Sequence, residues 1–366
     1  VDLRWRLRPV HGNRPFSNIG VTDGVRGALA PPDSLRINHF LGDKRLWLGG
    51  GHSFPFAGYG RRDDSEYPRE PAISRGSRYR LSSKKAGVRM GELEGRVAIV
   101  TGASRGLGKD IAIALASGGA SVVAAARTDA EGDSRIPGSL AHTVRLIEQA
   151  GGTAAGVRCD VTSQDDIHAT VRHALETYGR IDILVNNAGV LIPGRVTELQ
   201  PKHWELIFRV NVHAPFNFCR AVIPHLNEAG GGHIINISSR GAIGPGSGPY
   251  SEVRAGGAAY GATKAALERF TQGLAAELFE DGISVNALSP HLSIWSEGGH
   301  YFRGASGEPD YSGWRLSGQI IGDAAVTICS QPAGEFTGNI LYDELVMLNQ
   351  GDLTAAQVAE RYPVEQ

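Results

Sequence analysis

RVAIVTGASRGLG, residues 96–108, is the stretch whose reading decides the fold. Its first six residues, Arg96 to Thr101, form a short apolar run rich in valine and isoleucine, the pattern of a strand buried on both faces. The run breaks at Gly102, and from Leu107 to Ser117 apolar residues recur at helical spacing. In a strand, glycine-rich turn and helix so arranged, glycines let the backbone approach a pyrophosphate. The helix N-terminus then offers it N–H groups and a positive dipole. The glycines Gly102, Gly106 and Gly108 are spaced Gly-x-x-x-Gly-x-Gly, not Gly-x-Gly-x-x-Gly. In a chain with 49 glycines, that spacing alone fits a plain tight turn as well.

Downstream the alternation repeats. Strands are predicted at 120–126, 153–159, 181–186, 233–238, 283–288 and near 339–343. Between them fall helices at 140–150, 165–178, 204–226, from Tyr260 to about Asp281, and near 318–329. Strands alternating with helices predict a parallel sheet covered on both faces, an α/β Rossmann-like doubly wound fold with three αβα layers. This catalytic domain is expected over 90–350, with 351–366 as a C-terminal tail.

Upstream the pattern stops. Residues 1–89 hold 17 Lys+Arg against 8 Asp+Glu, leaving 20 against 30 for the rest, so the net charge of −1 conceals a basic first segment. That segment is rich in Arg, Gly, Pro and Ser, without sustained periodicity, and is expected to be disordered. Met90 stands six residues before Arg96, which makes an over-extended translation the preferred reading of 1–89. An Arg-rich transit sequence and a basic arm for an acidic partner stay open. No interleaved aromatic and basic pattern marks a nucleic-acid site. No apolar run reaches the ~20 residues of a membrane span. Cys159, Cys219 and Cys329 are too far apart for a disulfide framework or a metal cluster, so a reducing compartment, the cytoplasm, is expected.

Tyr260-Gly261-Ala262-Thr263-Lys264 sets a phenol and an ammonium just over one helical turn apart, on one face. A nearby ammonium favours the phenolate, so Tyr260, with an ordinary pKa of ~10, is expected to exchange a proton with a substrate hydroxyl or carbonyl. By itself the pair is common on solvated helices.

Taken together, the chain resembles the short-chain dehydrogenase/reductase family over roughly 90–348. Thr101 to Gly108 matches its Thr-Gly-x-x-x-Gly-x-Gly cofactor loop, and Asn186-Asn187-Ala188-Gly189 its sheet-stabilising, cofactor-facing motif. Asn211, Ser239, Tyr260 and Lys264 match its catalytic tetrad in order. The resemblance implies Tyr260 as general acid in carbonyl reduction and general base in alcohol oxidation. Lys264 would lower its pKa and hold the nicotinamide ribose, Ser239 would bind the reacting oxygen, and Asn211 would hold a water linking Lys264 to solvent. Ser238 rivals Ser239; the family's serine usually follows the strand by one further residue. The cofactor would lie on Gly102, Ser104, Arg105, Gly106, Leu107, Gly108, Arg127, Asp160, Val161, Asn187, Ala188, Gly189, Tyr260, Lys264 and Pro290. A homodimer or homotetramer through the helices bearing Asn211 and Tyr260 is also implied.

An acidic residue at the end of the second strand would select NAD; an arginine there accommodates the 2′-phosphate of NADP. That position is Ala126, followed by Arg127, with Arg105 inside the turn and no competing carboxylate, which favours NADP(H) over NAD. Asp129 is close enough to complicate this, and a turn-capping Asp160 would look the same as an adenine-contacting one.

Three departures bear on substrate. Ser239 and Tyr260 are 21 positions apart where the family usually has 13, which places an insertion, 240–259, at the site's mouth. A second extra loop, Asp129 to Ser139, is expected near the adenosine. Pro290-His291 replaces the usual Pro-Gly, and Trp295 stands where a carboxamide-binding Thr is common, with Ser296 as its substitute if the loop shifts by one. The 291–316 segment holds Trp295, Tyr301, Phe302, Tyr311 and Trp314, aromatics that suit either a bulky apolar substrate or the packing of a lid. His291 and His300 are candidate polar contacts there.

The expected function is an NADP(H)-dependent oxidoreductase moving a hydride between nicotinamide and a ketone or secondary alcohol. The alternatives are an NAD-dependent alcohol dehydrogenase of the same family and a non-catalytic dinucleotide-binding scaffold or sensor.

Overall fold

Seven parallel strands form one sheet in the computed structural model, which describes residues 91–250, 257–304 and 310–365, with only the backbone of 301–304. The basic segment 1–89 lies outside the described residues. The strands are β1 (Val97–Thr101), β2 (Ser121–Ala126), β3 (Thr153–Arg158), β4 (Ile183–Asn186), β5 (Gly232–Ile237), β6 (Ile283–Ser289) and β7 (Ile340–Tyr342), in the order β3-β2-β1-β4-β5-β6-β7. Val100 of β1 pairs with Ala124 of β2 on one side and Val185 of β4 on the other. Strand order therefore reverses at β1 and β4, and a doubly wound sheet binds ligands in the crevice beyond the strand ends at such a switch point.

The two-residue period of the strands assigns side chains to two cores. Ala98 and Val100 of β1 join one core with Ile111 and Leu115 of α1 (Gly106–Ser117), while Ile99 joins the other. On the second face lie Ile167 and Val171 of α3 (Gln164–Tyr178), which follows α2 (Leu140–Gln149) in the chain. Burying each such side chain stabilises the fold by roughly 1.5–3 kcal/mol. The continuous apolar runs seen in the sequence are thus strands covered on both sides.

The single helix predicted at 204–226 is three pieces: α4 (Pro201–Phe208), a π turn at Arg209–His213, and α5 (Ala214–Glu228). Pro201 starts α4, where its missing N–H costs nothing. One widened turn shifts the helix register without disturbing the apolar pattern, so periodicity does not reveal it. After β5 and a short turn at Arg240–Ala242 comes α6 (Gly257–Glu277), followed by α7 (Glu297–Gly304), α8 (Gln319–Cys329), α9 (Asp343–Asn349) and α10 (Ala355–Arg361). Neither α7, α9 nor α10 is marked by a clear sequence period.

Residues 351–366, expected as a tail, hold α10, whose start is fixed by a capping box between Thr354 and Gln357. Val358 and Tyr362 are buried in the first core. The Tyr362 hydroxyl donates to Asp323 Oδ2 at 2.6 Å, where Arg361 also bonds at 2.8 Å. Arg315, itself buried, donates to the Tyr362 carbonyl and, at 2.9 Å, to Glu344. This terminal strap therefore fixes the stretch that follows α7.

Candidate active site

At the switch point, the turn after β1 and the turn after β4 are stitched together. The Thr101 hydroxyl accepts the backbone N–H groups of Asn187 and Ala188, each at 3.0 Å. The Asn187 amide donates to the Thr101 carbonyl at 2.8 Å. This closeness explains the glycines: a Cβ on Gly108 would lie 2.3 Å from Asn187 Nδ2 and 2.4 Å from the Gly102 carbonyl oxygen. Gly102 has φ +68°, a conformation that disfavours any side chain. The N-terminus of α1 is thereby set at the switch point, between the turns after β1 and β4.

Beyond β5, Ser239 accepts the Gly241 N–H at 3.1 Å, and its hydroxyl and the Tyr260 ring both lie 3.5 Å from where a Gly241 Cβ would be. Gly261 lets α6 approach: a Cβ there would stand 2.7 Å from the Gly241 carbonyl. Lys264 is buried, with Nζ donating to the Ile237 carbonyl at 2.7 Å and lying 5.6 Å from the Tyr260 ring centroid. Gly189 lies between Lys264 and Asn211, since a Cβ there would be in ordinary contact with Lys264 Nζ at 3.9 Å and Asn211 Oδ1 at 3.6 Å. Asn211, in the π turn, clamps Val190 through both its N–H (2.8 Å) and its carbonyl (2.9 Å), and donates to Thr263 at 3.1 Å. The four tetrad residues thus converge. Ser238 points elsewhere, donating to Glu268 at 2.7 Å.

The electrostatics differ from the sequence expectation in one respect. Burial pushes the Tyr260 phenol up, against the pull of its Ser239 hydrogen bond, instead of the phenol being drawn down by the ammonium. Burial drives Lys264 down to about 8, with Glu268 opposing the shift. Desolvation is the largest cause of both shifts.

At the other end of the crevice, Arg105 donates to the Thr128 hydroxyl at 3.0 Å and the Gly138 carbonyl at 2.8 Å, which brings the extra 129–139 loop against the glycine turn. Burial lowers the Arg105 pKa, as does exposed Arg127, so the two guanidiniums are neighbours. Arg105 Nε is buried without a partner. A carboxylate that the sequence reading did not weigh, Glu131, also acts on Arg105. Asp160 caps its own turn, accepting the Thr162 N–H at 2.9 Å and hydroxyl at 2.8 Å, beside buried Val161. Ser104 is buried in the glycine turn, Leu107 opens α1 behind it, and Pro290 follows β6.

Above the crevice, Ser296 rather than Trp295 lies on the glycine turn, 3.1 Å from where a Gly106 Cβ would be. Trp295 packs on His300, which bonds the Tyr311 hydroxyl at 2.6 Å, and Tyr311 meets Trp314 edge-on. These aromatics pack one another, as lid residues do. Tyr301 and Phe302 have side chains outside the described ones, as does the 251–256 part of the 240–259 insertion. The His291 ring stands 5.8 Å from the Tyr342 ring, and the His291 backbone N–H donates to Asp343 Oδ1 at 2.7 Å.

Glu297, Glu268 and Arg315 escaped the sequence reading. No local motif marks them, because each acquires its partner through a distant fold-back.

A dinucleotide fits this crevice: Gly106 N–H at the mouth of α1 already binds an anionic group, the Glu297 carboxylate, at 2.8 Å. Comparison with known proteins agrees. The family description "short chain dehydrogenase" matches residues 96–293. The hydroxysteroid dehydrogenase-like protein 2 of Xenopus tropicalis is 33% identical over 276 residues, covering 75% of this chain and 63% of that protein. The chain thus matches under two thirds of that relative's length. An uncharacterized oxidoreductase of Staphylococcus epidermidis is 31% identical over 246 residues, 67% of this chain and 95% of that protein. A metagenomic short-chain oxidoreductase, solved in complex with NADP, superposes with TM-score 0.54 at 33% identity, covering 69% of this chain and 97% of the other.

Proposed function

This chain belongs to the short chain dehydrogenase family, oxidoreductases acting on CH–OH or C=O groups with NAD(P), and from that premise we propose an NADP(H)-dependent reductase of ketones, or dehydrogenase of secondary alcohols, with Tyr260 as acid and base. One observation carries the reading: the Ser239 hydroxyl and the Tyr260 ring both lie 3.5 Å from the point a Gly241 Cβ would occupy, and the buried Lys264 ammonium stands 5.6 Å from that ring. A bound nicotinamide supplies or accepts the hydride. Tyr260 passes a proton to the substrate oxygen in reduction and takes it back in oxidation, while Ser239 holds that oxygen. Lys264, drawn down to about 8, trades protons close to neutrality and recharges the phenol. Asn211, its side-chain amide engaged by Val190 and Thr263, would hold the water that links Lys264 to solvent.

NADP(H) is favoured by the Arg105 and Arg127 charges, which act on one another at this end of the crevice, and by the buried Nε of Arg105, which is unpartnered. A dimer or tetramer is supported by Phe216 of α5, half exposed, packing edge-on against Phe270 of α6. We further propose that 90–350 carries the activity.

The test follows nicotinamide absorbance with NADPH or NADH against aliphatic, aromatic, acyl-thioester, sugar and steroid ketones, with Tyr260→Phe as the blank. Turnover is expected to fall by at least about 10²-fold in the variant while cofactor binding holds. An active phenylalanine enzyme would overturn the mechanism.

A further inference from the structure

The N-terminus of α1 is already occupied by the protein itself. Glu297, first residue of α7, accepts the Gly106 N–H on Oε2 at 2.8 Å and binds Lys109 Nζ on Oε1 at 2.7 Å. Both side chains of that ion pair are only 16% exposed. The adjoining Ser296 packs on Gly106 itself, and its hydroxyl caps α7 by accepting the Gly299 N–H at 3.1 Å. The start of α7 is therefore laid on the mouth of α1, carboxylate inward.

A glycine-rich turn opening a helix is where a dinucleotide's pyrophosphate sits, with its oxygens on the first N–H groups. A carboxylate on the same N–H excludes it on two counts: the donor is taken, and like charges repel at contact distance in a partly buried site. We propose that Glu297 is a built-in competitor of the cofactor, its carboxylate seated in the phosphate position, so that α7 must lift before a dinucleotide enters. The inference rests on the dinucleotide-binding reading above. Lifting has a second effect: Lys109, released by Glu297, becomes available to the incoming phosphates. One movement removes the repelling anion and frees a cation.

The stretch leading into α7 is fixed, and Glu297 is the contact that lays the helix on α1. Trp295 N–H donates to the Arg315 carbonyl at 2.8 Å, and Arg315 N–H to the Ser293 carbonyl at 2.9 Å. The Arg315 guanidinium is in turn buried under the terminal strap. Residues 293–295 are thus anchored, while the start of α7 is tied to α1 by the polar contacts of Glu297. Because apparent affinity scales with the fraction of chains whose lid is open, weakening this contact tightens cofactor binding.

The experiment titrates the full-length chain and its Glu297→Ala and Glu297→Gln variants calorimetrically with NADPH, NADH and inorganic pyrophosphate. Alanine should tighten all three by about tenfold. Glutamine, which keeps the shape and the Gly106 hydrogen bond but not the charge, should fall between, and guards against a folding defect. Unchanged or weaker binding of NADPH by both variants would overturn the proposal while leaving the dinucleotide reading intact. If neither the parent chain nor the variants bind NADPH or NADH, both readings fail together. Tightening confined to pyrophosphate would also overturn it, since the competitor must act on the whole cofactor.

Discussion

Replacing Gly108 by alanine probes the junction on which the candidate site is built. An added Cβ would stand 2.3 Å from Asn187 Nδ2 and 2.4 Å from the Gly102 carbonyl oxygen, where real Cβ contacts begin near 3.4 Å. One neighbour is backbone and cannot step aside, so the turn and Asn187 must separate by about 1 Å. Overpacking of that kind costs about 1–3 kcal/mol. Displacing Asn187 also loses its 2.8 Å bond to the Thr101 carbonyl, roughly 1 kcal/mol more. Against this, alanine in a helix gains up to about 1 kcal/mol over glycine. The net is a loss of about 1–3 kcal/mol, or a fall in melting temperature of roughly 2–12 °C for a domain of this size. Scanning calorimetry measures it, with Gly257→Ala as the control, because among the described residues no atom beyond its chain neighbours and its own helix backbone lies within 4 Å of a Cβ there. NADPH affinity, read by fluorescence titration, should weaken in Gly108→Ala and hold in the control. A Gly108→Ala protein that melts and binds like the parent would refute the argument that close approach requires the glycine.

Other perturbations have equally definite outcomes. Replacing Arg105 and Arg127 together by methionine should weaken NADPH far more than NADH in fluorescence titrations; equal weakening would remove the 2′-phosphate argument. Lys264 is driven from 10.5 down to about 8 in the folded state, so the unfolded chain holds the extra proton between those values and stability rises with pH across that window. Lys264→Met should therefore gain on the parent most below pH 8 and lose that advantage by about pH 10.5, as followed by denaturant melts; a difference flat with pH would contradict the assignment. Tyr362→Phe removes one donor from buried Asp323, and about 1–3 kcal/mol of stability should go with it in the same melts. A chain beginning at Met90 is expected to melt as the full chain does.

Much of the architecture was legible because its signals are local. The run from Arg96 to Thr101, the glycines after it and the helical spacing from Leu107 lie within a few residues of one another, and so do Tyr260 and Lys264 on one helical turn. Those patterns led to the parallel sheet and to the residues that gather at its switch point. The π turn around Asn211 was hidden because one widened turn leaves the apolar period intact. Trp295 stood at the expected distance from Pro290, yet Ser296 reached the glycine turn, since the course of a loop depends on what anchors it, here Arg315.

What the sequence determined by itself was the succession of the seven strands and of the longer helices between them, because near-neighbour spacing dictates it. Tertiary structure alone decided which charges meet. Glu297 lies nearly two hundred positions from Gly106, |i−j| 191, and Arg315 lies |i−j| 47 from Tyr362. It also decided the direction of the Tyr260 shift: the ammonium one turn away is visible in the sequence, whereas the burial that pushes the phenol up exists only once α6 is packed against β5 and its turn.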